Sequence, residues 1–186
     1  MKAHEFPHYE DERRRWQNAE ALLRSIGLSL GSTFIDVVCG DGFFALPAAR
    51  LVGKAGKVYA IDQDAEAMER LRKKAATEGL RNLETKVAEA EETLLCSGCA
   101  DTVFFGIVLH DFRDPARVVT NAKAMLKASG RLINLDWKKE PMELGPPLRI
   151  RLSEEEATEL LESVGLRIAT VREAGPYHYI MIAKPP

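Results

Sequence analysis

The sequence predicts an α/β fold: a doubly wound, mostly parallel seven-stranded sheet with helices on both faces and a C-terminal antiparallel hairpin. Two observations lead there. Short apolar runs alternate with segments of helical periodicity from Thr33 to Val164, the pattern of successive strand–helix–strand units. The last two apolar runs, Leu166 to Val171 and His178 to Ala183, are joined by Glu173-Ala174-Gly175-Pro176, a turn signal that makes them a hairpin.

The elements follow in order. Asp11 to Ile26 carries Trp16, Ala19, Leu22, Leu23 and Ile26 at helical spacing and reads as one amphipathic helix. Gly27 and Gly31 break it before a first strand over Thr33 to Val37. A helix over Ala45 to Val52 leads through Gly53-Lys54-Ala55-Gly56 to a second strand, Lys57 to Ile61. Asp64 is placed to cap a helix that turns Met68, Leu71 and Ala75 inward and stops near Gly79. Leu83 to Val87 is the third strand. The nearly continuous apolar run Val103 to Leu109 is the fourth, as a central strand covered on both faces requires. Asp114-Pro115 opens the next helix, acid capping and proline at the first helical position, and that helix ends near Gly130. Arg131 to Leu135 is strand five. Ser153-Glu154-Glu155-Glu156 forms a capping box for a last helix that Gly165 stops. The whole is expected to be one domain, 31–186, preceded by a helical segment, 1–30, that covers its site.

Composition narrows the function classes. With 46% hydrophobic and 29% charged residues, the chain reads as a soluble globular protein. A net charge of −2 gives no global attraction to nucleic acid or to an anionic membrane. The basic clusters Arg13-Arg14-Arg15 and Arg149 with Arg151 read as solvated helix and loop charges. No stretch approaches a transmembrane helix, and Met1 to Pro7 lacks the apolar segment of a signal peptide. Three cysteines, an odd number, argue for a reducing compartment, so a cytoplasmic location is expected. Cys96-Ser97-Gly98-Cys99 precedes a strand and lacks the helix N-terminus of a redox pair, so two ordinary loop thiols and no metal site are expected.

The chemistry concentrates in Phe34-Ile35-Asp36-Val37-Val38-Cys39-Gly40-Asp41-Gly42-Phe43-Phe44. An apolar strand ends in an acid and a glycine-rich loop, and a helix follows. Twenty-two residues after Gly40, the second strand ends in Asp62. A strand, a Gly-x-Gly turn and an acid at the end of the next strand describe a nucleotide-type cofactor site. Asp62 is placed to accept from a ribose diol, and the ligand is expected to be an adenosine-containing small molecule. Asp36, four residues before Gly40, gains nothing from a pyrophosphate but suits a ligand bearing an ammonium or sulfonium group.

On these residues the chain resembles the class I S-adenosylmethionine-dependent methyltransferases, whose first motif has the form apolar-Asp-x-Gly-x-Gly-x-Gly. Val38 stands where that pattern has its first glycine. The resemblance runs from about Arg13 to the C-terminus. It implies a Rossmann-like sheet, S-adenosylmethionine as cofactor and methyl transfer to a small-molecule acceptor. It places Asp36, Val38, Cys39, Gly40, Gly42 and Phe44 along the cofactor, with Asp62 on the ribose. Gln63 and Met68 lie against the adenine, Glu89 and Ala90 near its amino group, and the Gly106 carbonyl meets the methionine ammonium. Val108-Leu109-His110-Asp111-Phe112 resembles the segment after strand four in small-molecule members. There His110 and Asp111 are candidates for a general base or for orienting the substrate, and His110 alternatively packs over the cofactor.

Tyr9, Trp16, Trp137 and Tyr177 are candidates for the acceptor side, with Phe6, His8 and His178 beside them. The Asn/Asp-Pro-Pro-Tyr/Phe motif of adenine N-methylation is absent. An RNA or protein methyltransferase using the Arg13 to Arg15 cluster, and a cofactor-binding module without catalysis, remain the alternatives.

Overall fold

A computed structural model describes Arg13 and residues 17–186. Seven strands form one sheet in the order β3-β2-β1-β4-β5-β7-β6. They are β1 Thr33–Val37, β2 Lys57–Asp62, β3 Leu83–Val87, β4 Ala100–Gly106, β5 Leu126–Trp137, β6 Arg167–Ala174 and β7 His178–Lys184. Strands β1 to β5 pair in parallel, and β7 runs antiparallel between β5 and β6. The helices are α1 Ala19–Ser25, α2 Ala45–Val52, α3 Ala65–Thr77, α4 Pro115–Met125 and α5 Glu154–Ser163.

The alternation of β1 divides the core. Phe34 packs with α1, α2 and α3 on one face, while Ile35 and Val37 pack with α4 and α5 on the other. Asp36 follows Phe34 onto the first face, a buried carboxyl in an otherwise apolar row. Local chemistry fixes the helix starts as expected. The Asp64 carboxylate accepts from the Glu66 and Ala67 N–H groups, and Asp114 accepts from Arg117 with Pro115 behind it. Ser153 and Glu156 complete a reciprocal capping box.

Three elements and one loop differ from the sequence reading. The first helix is interrupted: the Asn18 side chain accepts from Ala21 N–H and starts α1 afresh, the competition with backbone pairing that makes asparagine a cap. β4 begins and ends three residues earlier than its apolar run. Ile107 turns into the left-handed region at φ 70°, and Leu109, still fully buried, sits in a 3-10 turn over Leu109–Asp111. Burial kept the run apolar after the strand had stopped. α4 ends at Met125 and β5 starts at once, with a register shift where Ala100 pairs Leu126 and Thr102 pairs Arg131; Lys127 to Gly130 is the bulge that the sequence offered as a helix end. Finally, Cys96 and Cys99 are joined in a disulfide across a tight loop, with Cα atoms 6.0 Å apart. This corrects the reading of two free thiols and removes the thiol count as an argument for a reducing compartment. No helix among the described residues is long and apolar enough to cross a membrane.

A candidate cofactor and acceptor site at the switch point of the sheet

Strand order reverses between β1 and β4, so their carboxyl ends frame a crevice of the kind where open α/β sheets bind ligands. The chain leaves both strands through strained residues. Val38 has φ 58° and Ile107 has φ 70°, the left-handed region that a β-branched side chain strongly disfavours. These two are the only non-glycine residues with positive φ among those described. Strain of this kind persists where the surroundings impose it, typically at functional sites. Val38→Gly should therefore stabilise the fold by about 1 kcal/mol after the extra entropy of glycine is subtracted. Thermal unfolding should show this as a melting temperature about 2–4 °C higher; an unchanged or lower value would contradict the strain.

The loop from Val38 to Phe44 is tied at both ends. Cys39 N–H donates to the Ile61 carbonyl (3.0 Å), and the Gly42 N–H returns to the Cys39 carbonyl. The Asp41 carboxylate is held by Arg70 at 2.8 Å. Gly40 and Gly42 both have positive φ. A Cβ at Gly42 would overlap the Leu71 side chain, whereas one at Gly40 would meet nothing within 4 Å. The space above Gly40 is thus open, while Gly42 is where the loop packs down on α3. At the end of β4, a Cβ on Gly106 would collide with the Phe44 ring at 2.9 Å.

Asp62 organises the floor. Its Oδ2 accepts from the Gly40 N–H at 2.8 Å and its Oδ1 from the Asp64 N–H at 2.9 Å. Each oxygen keeps one lone pair for a further donor. Gln63 and Glu89 are exposed beside it, and Ala90 is buried at the start of the 3-10 turn Ala90–Glu92. Met68 offers no surface to a ligand. It is wholly buried, with its Sδ 4.0 Å from Cys39 Sγ, and supports the loop from beneath. Phe44 is also buried and stacks edge-on to Phe104.

Asp36 lies below the loop with its Oδ2 buried and lacking a hydrogen-bond partner. Burial pushes this carboxyl up to about 8, against the Arg13 cation and the Ala45 N–H, with the Asp62 charge adding to the rise. An acid raised in the native state holds a proton that the unfolded chain has already lost. Its contribution to stability therefore falls as pH rises from about 4 towards about 8, and stays low above that. Asp36→Asn should melt with the wild type at pH 4 and progressively above it from pH 5 to 8. Parallel curves across that range would show that Asp36 titrates normally.

The other side of the crevice is built by β4, β5 and β7. His110 Nδ1 lies 2.7 Å from Asp136 Oδ1, an oxygen that also accepts from the Trp137 N–H at 2.8 Å. Asp111, by contrast, is exposed and approaches His110 Nε2 only to 3.6 Å. Trp137 stacks on His178 with centroids 4.2 Å apart. Burial and the cations of Arg13, Arg151 and Lys138 depress His178 to about 3, which keeps it neutral. Tyr177 is half-buried in the hairpin turn, its carbonyl accepting from Lys138 N–H. Tyr9 and Trp16 lie outside the described residues, as do Phe6 and His8. From the N-terminal segment, Arg13 places its guanidinium over the Phe43 ring at 4.2 Å and the Phe44 ring at 4.9 Å.

A model of the methyltransferase domain matches residues 28–169, and an S-adenosylmethionine-dependent methyltransferase from Aquifex aeolicus superposes with a TM-score of 0.88. The chain belongs to the S-adenosylmethionine-dependent methyltransferase family. The Aquifex structure is 31% identical and covers 96% of this methyltransferase and 97% of itself. A probable cobalt-precorrin-6B C(15)-methyltransferase from Sulfolobus acidocaldarius is 32% identical over 63% of this chain and 68% of its own length. The ubiquinone/menaquinone biosynthesis C-methyltransferase UbiE of a Marinomonas species is 26% identical over 83% of the chain, which spans 59% of that enzyme.

Three features of the methyltransferase site escaped the sequence reading. Asp136 was legible as an acid ending strand five but carried no signal that it would meet His110. The strain at Ile107 left no trace, because an apolar residue after a strand is unremarkable in a sequence. Arg151 looked like a solvated charge. It is buried, its guanidinium donating to the carbonyls of Pro146, Lys138, Glu140 and Leu144 at 2.8–3.1 Å.

Proposed function

We propose that this methyltransferase moves a methyl group from S-adenosylmethionine to a small-molecule acceptor, with the cofactor lying across the carboxyl ends of β2, β1 and β4. One observation carries the cofactor's placement: Asp62 keeps two free lone pairs beside the open space above Gly40. A ribose diol needs such an acceptor pair next to backbone it can approach closely. Gln63, Glu89 and Ala90 then border the adenine. Gly40, Gly42 and Gly106 bring bare backbone to the amino-acid end, over Cys39 and Phe44. Asp36 supplies a carboxyl beneath a cationic ligand, whose arrival favours its ionised form and expels its proton.

The cofactor supplies an activated methyl on a sulfonium, so much of the acceleration comes from holding the acceptor in line with it. From the N-terminal segment, Arg13 borders the site in this reading, supported by its stack on Phe43 and Phe44. Trp137 and Tyr177 stand on the acceptor side. A small acceptor accords with the precorrin and quinone names of the relatives. It also accords with an Arg13 that is engaged with aromatic rings and only 9% exposed, a poor contact for RNA phosphates.

Calorimetric titration tests the reading. S-adenosylmethionine and S-adenosylhomocysteine should bind at micromolar concentrations, with NAD as the control that does not. Binding of NAD alone would overturn it.

A further inference from the structure

The His110–Asp136 pair is built at a cost that packing does not explain. Asp136 is fully buried, and its Oδ2 has no hydrogen-bond partner. An asparagine could receive the Trp137 N–H equally well without placing a carboxylate in the core, and an orphaned buried oxygen calls for a reason. The His110 side chain is only 3% exposed and, among the described residues, is the one group facing that carboxylate as a charge partner. With Nδ1–H donating to Asp136, the neutral imidazole is fixed in the tautomer that leaves Nε2 a bare acceptor. Nε2 makes no hydrogen bond among the described residues. The pair stands at the ends of β4 and β5, beside the switch-point crevice.

We infer that His110 is a general base held in register by Asp136, and that the acceptor's methylated site is an acidic hydroxyl, a phenol or enol. This inference rests on the methyltransferase reading above and adds a substrate class to it. The choice among acceptors follows from acidity. A neutral amine attacks through its lone pair before losing a proton. A thiol, with pKa about 8.5, is partly ionised already, while a phenol, at about 10, is a poor nucleophile until its proton is taken. An imidazole backed by a carboxylate closes that gap. In the step, Nε2 takes the hydroxyl proton as the oxygen bonds to the methyl carbon. The carbon–sulfur bond breaks with its electron pair on sulfur, leaving S-adenosylhomocysteine, and the imidazolium then gives its proton to water.

Three charged groups act on His110. Burial lowers its proton affinity, but Asp136, by hydrogen bond and charge, and Asp111 raise it more, with Arg151 opposing. The net effect is a basicity above that of an ordinary histidine.

The test uses 4-nitrophenol, whose ionised form is yellow, added to the protein saturated with S-adenosylhomocysteine. Wild type should bind it as the phenolate about one pH unit below the midpoint of the free phenol. His110→Gln should abolish that shift. Asp136→Asn should move ionisation back to the pH of free nitrophenol while S-adenosylhomocysteine binds as before, a split that a folding defect would not give. Turnover of substituted phenols with S-adenosylmethionine should fall about 100-fold or more in His110→Gln. Absence of bound phenolate in wild type, or an ionisation unaffected by His110→Gln, would overturn the inference. Failure of S-adenosylhomocysteine to bind wild type would instead overturn the cofactor reading on which it rests.

Discussion

Asp62→Ala should raise the dissociation constants of S-adenosylmethionine and S-adenosylhomocysteine by about 100-fold or more and by equal factors, because both ligands share the ribose. Hydrogen bonds to a charged acceptor contribute about 1.5–3 kcal/mol each. Two to the diol therefore correspond to about two to four powers of ten in affinity. The same carboxylate also holds the Gly40 and Asp64 N–H groups, so the substitution loosens the loop that shapes the site. Asp62→Asn separates the two roles. It preserves one acceptor oxygen and the side chain's volume, and should recover part of the stability while binding stays at least about tenfold weak. Calorimetry on both variants, with melting temperatures alongside, measures this. A change in affinity below tenfold in Asp62→Ala would place the ribose elsewhere.

Arg151→Leu should be the most destabilising single substitution in the wall around Trp137, by about 3–5 kcal/mol. The guanidinium has no carboxylate partner among the described residues. Its four donor contacts end on main-chain carbonyls of the segment between β5 and α5. That segment folds back over Trp137, close enough that a Cβ on Gly145 would strike the indole at 2.8 Å. Leucine fills a similar volume but strands those carbonyls, and the segment must unfold outward to hydrate them. The melting temperature should drop by about 10 °C, and residues 138–150 should become the first site of limited proteolysis. Arg151→Lys supplies a charge and three donors but not the planar fork, so it should recover only part of the loss. A melting temperature within about 2 °C of wild type for Arg151→Leu would show that the segment holds itself.

The sheet was readable because its information is local and repeated. Glycine, proline and capping acids punctuate the chain, and Asp64, Asp114 and Ser153 each cap the helix they announce. The juxtaposition of Asp36, Gly40, Gly42 and Asp62 was equally legible, since they lie in two adjacent strand–loop units whose spacing is a sequence property. The meeting of His110 with Asp136 was not. His110 and Asp136 are 26 residues apart and meet only because β4 and β5 pair in register, Gly106 beside Leu135. Nothing in a polar residue's identity tells whether it ends in water or in a tertiary contact, which is why Arg151 read as surface. Burial was similarly ambiguous for Met68: its helical position was read correctly as inward, and inward meant the core beneath the loop at Cys39. The disulfide illustrates the same limit, because two cysteines three residues apart are bridged or free according to a loop geometry that spacing alone leaves open.

The placement of β7 between β5 and β6 has a consequence for synthesis on the ribosome. Strands β2 to β5 can each dock on a neighbour already made, but β6 emerges before β7 and touches the sheet only through it. Until β7 is released, the hydrogen-bonding edge of β5 from Leu132 to Trp137 stays open, and it carries Leu132, Ile133 and Leu135 that the finished fold buries completely. An open apolar edge is a template for pairing with another chain. Nascent chains of this methyltransferase are therefore most exposed to misassembly between the emergence of β5 and that of β7, and a chaperone that shields strand edges would act in that interval.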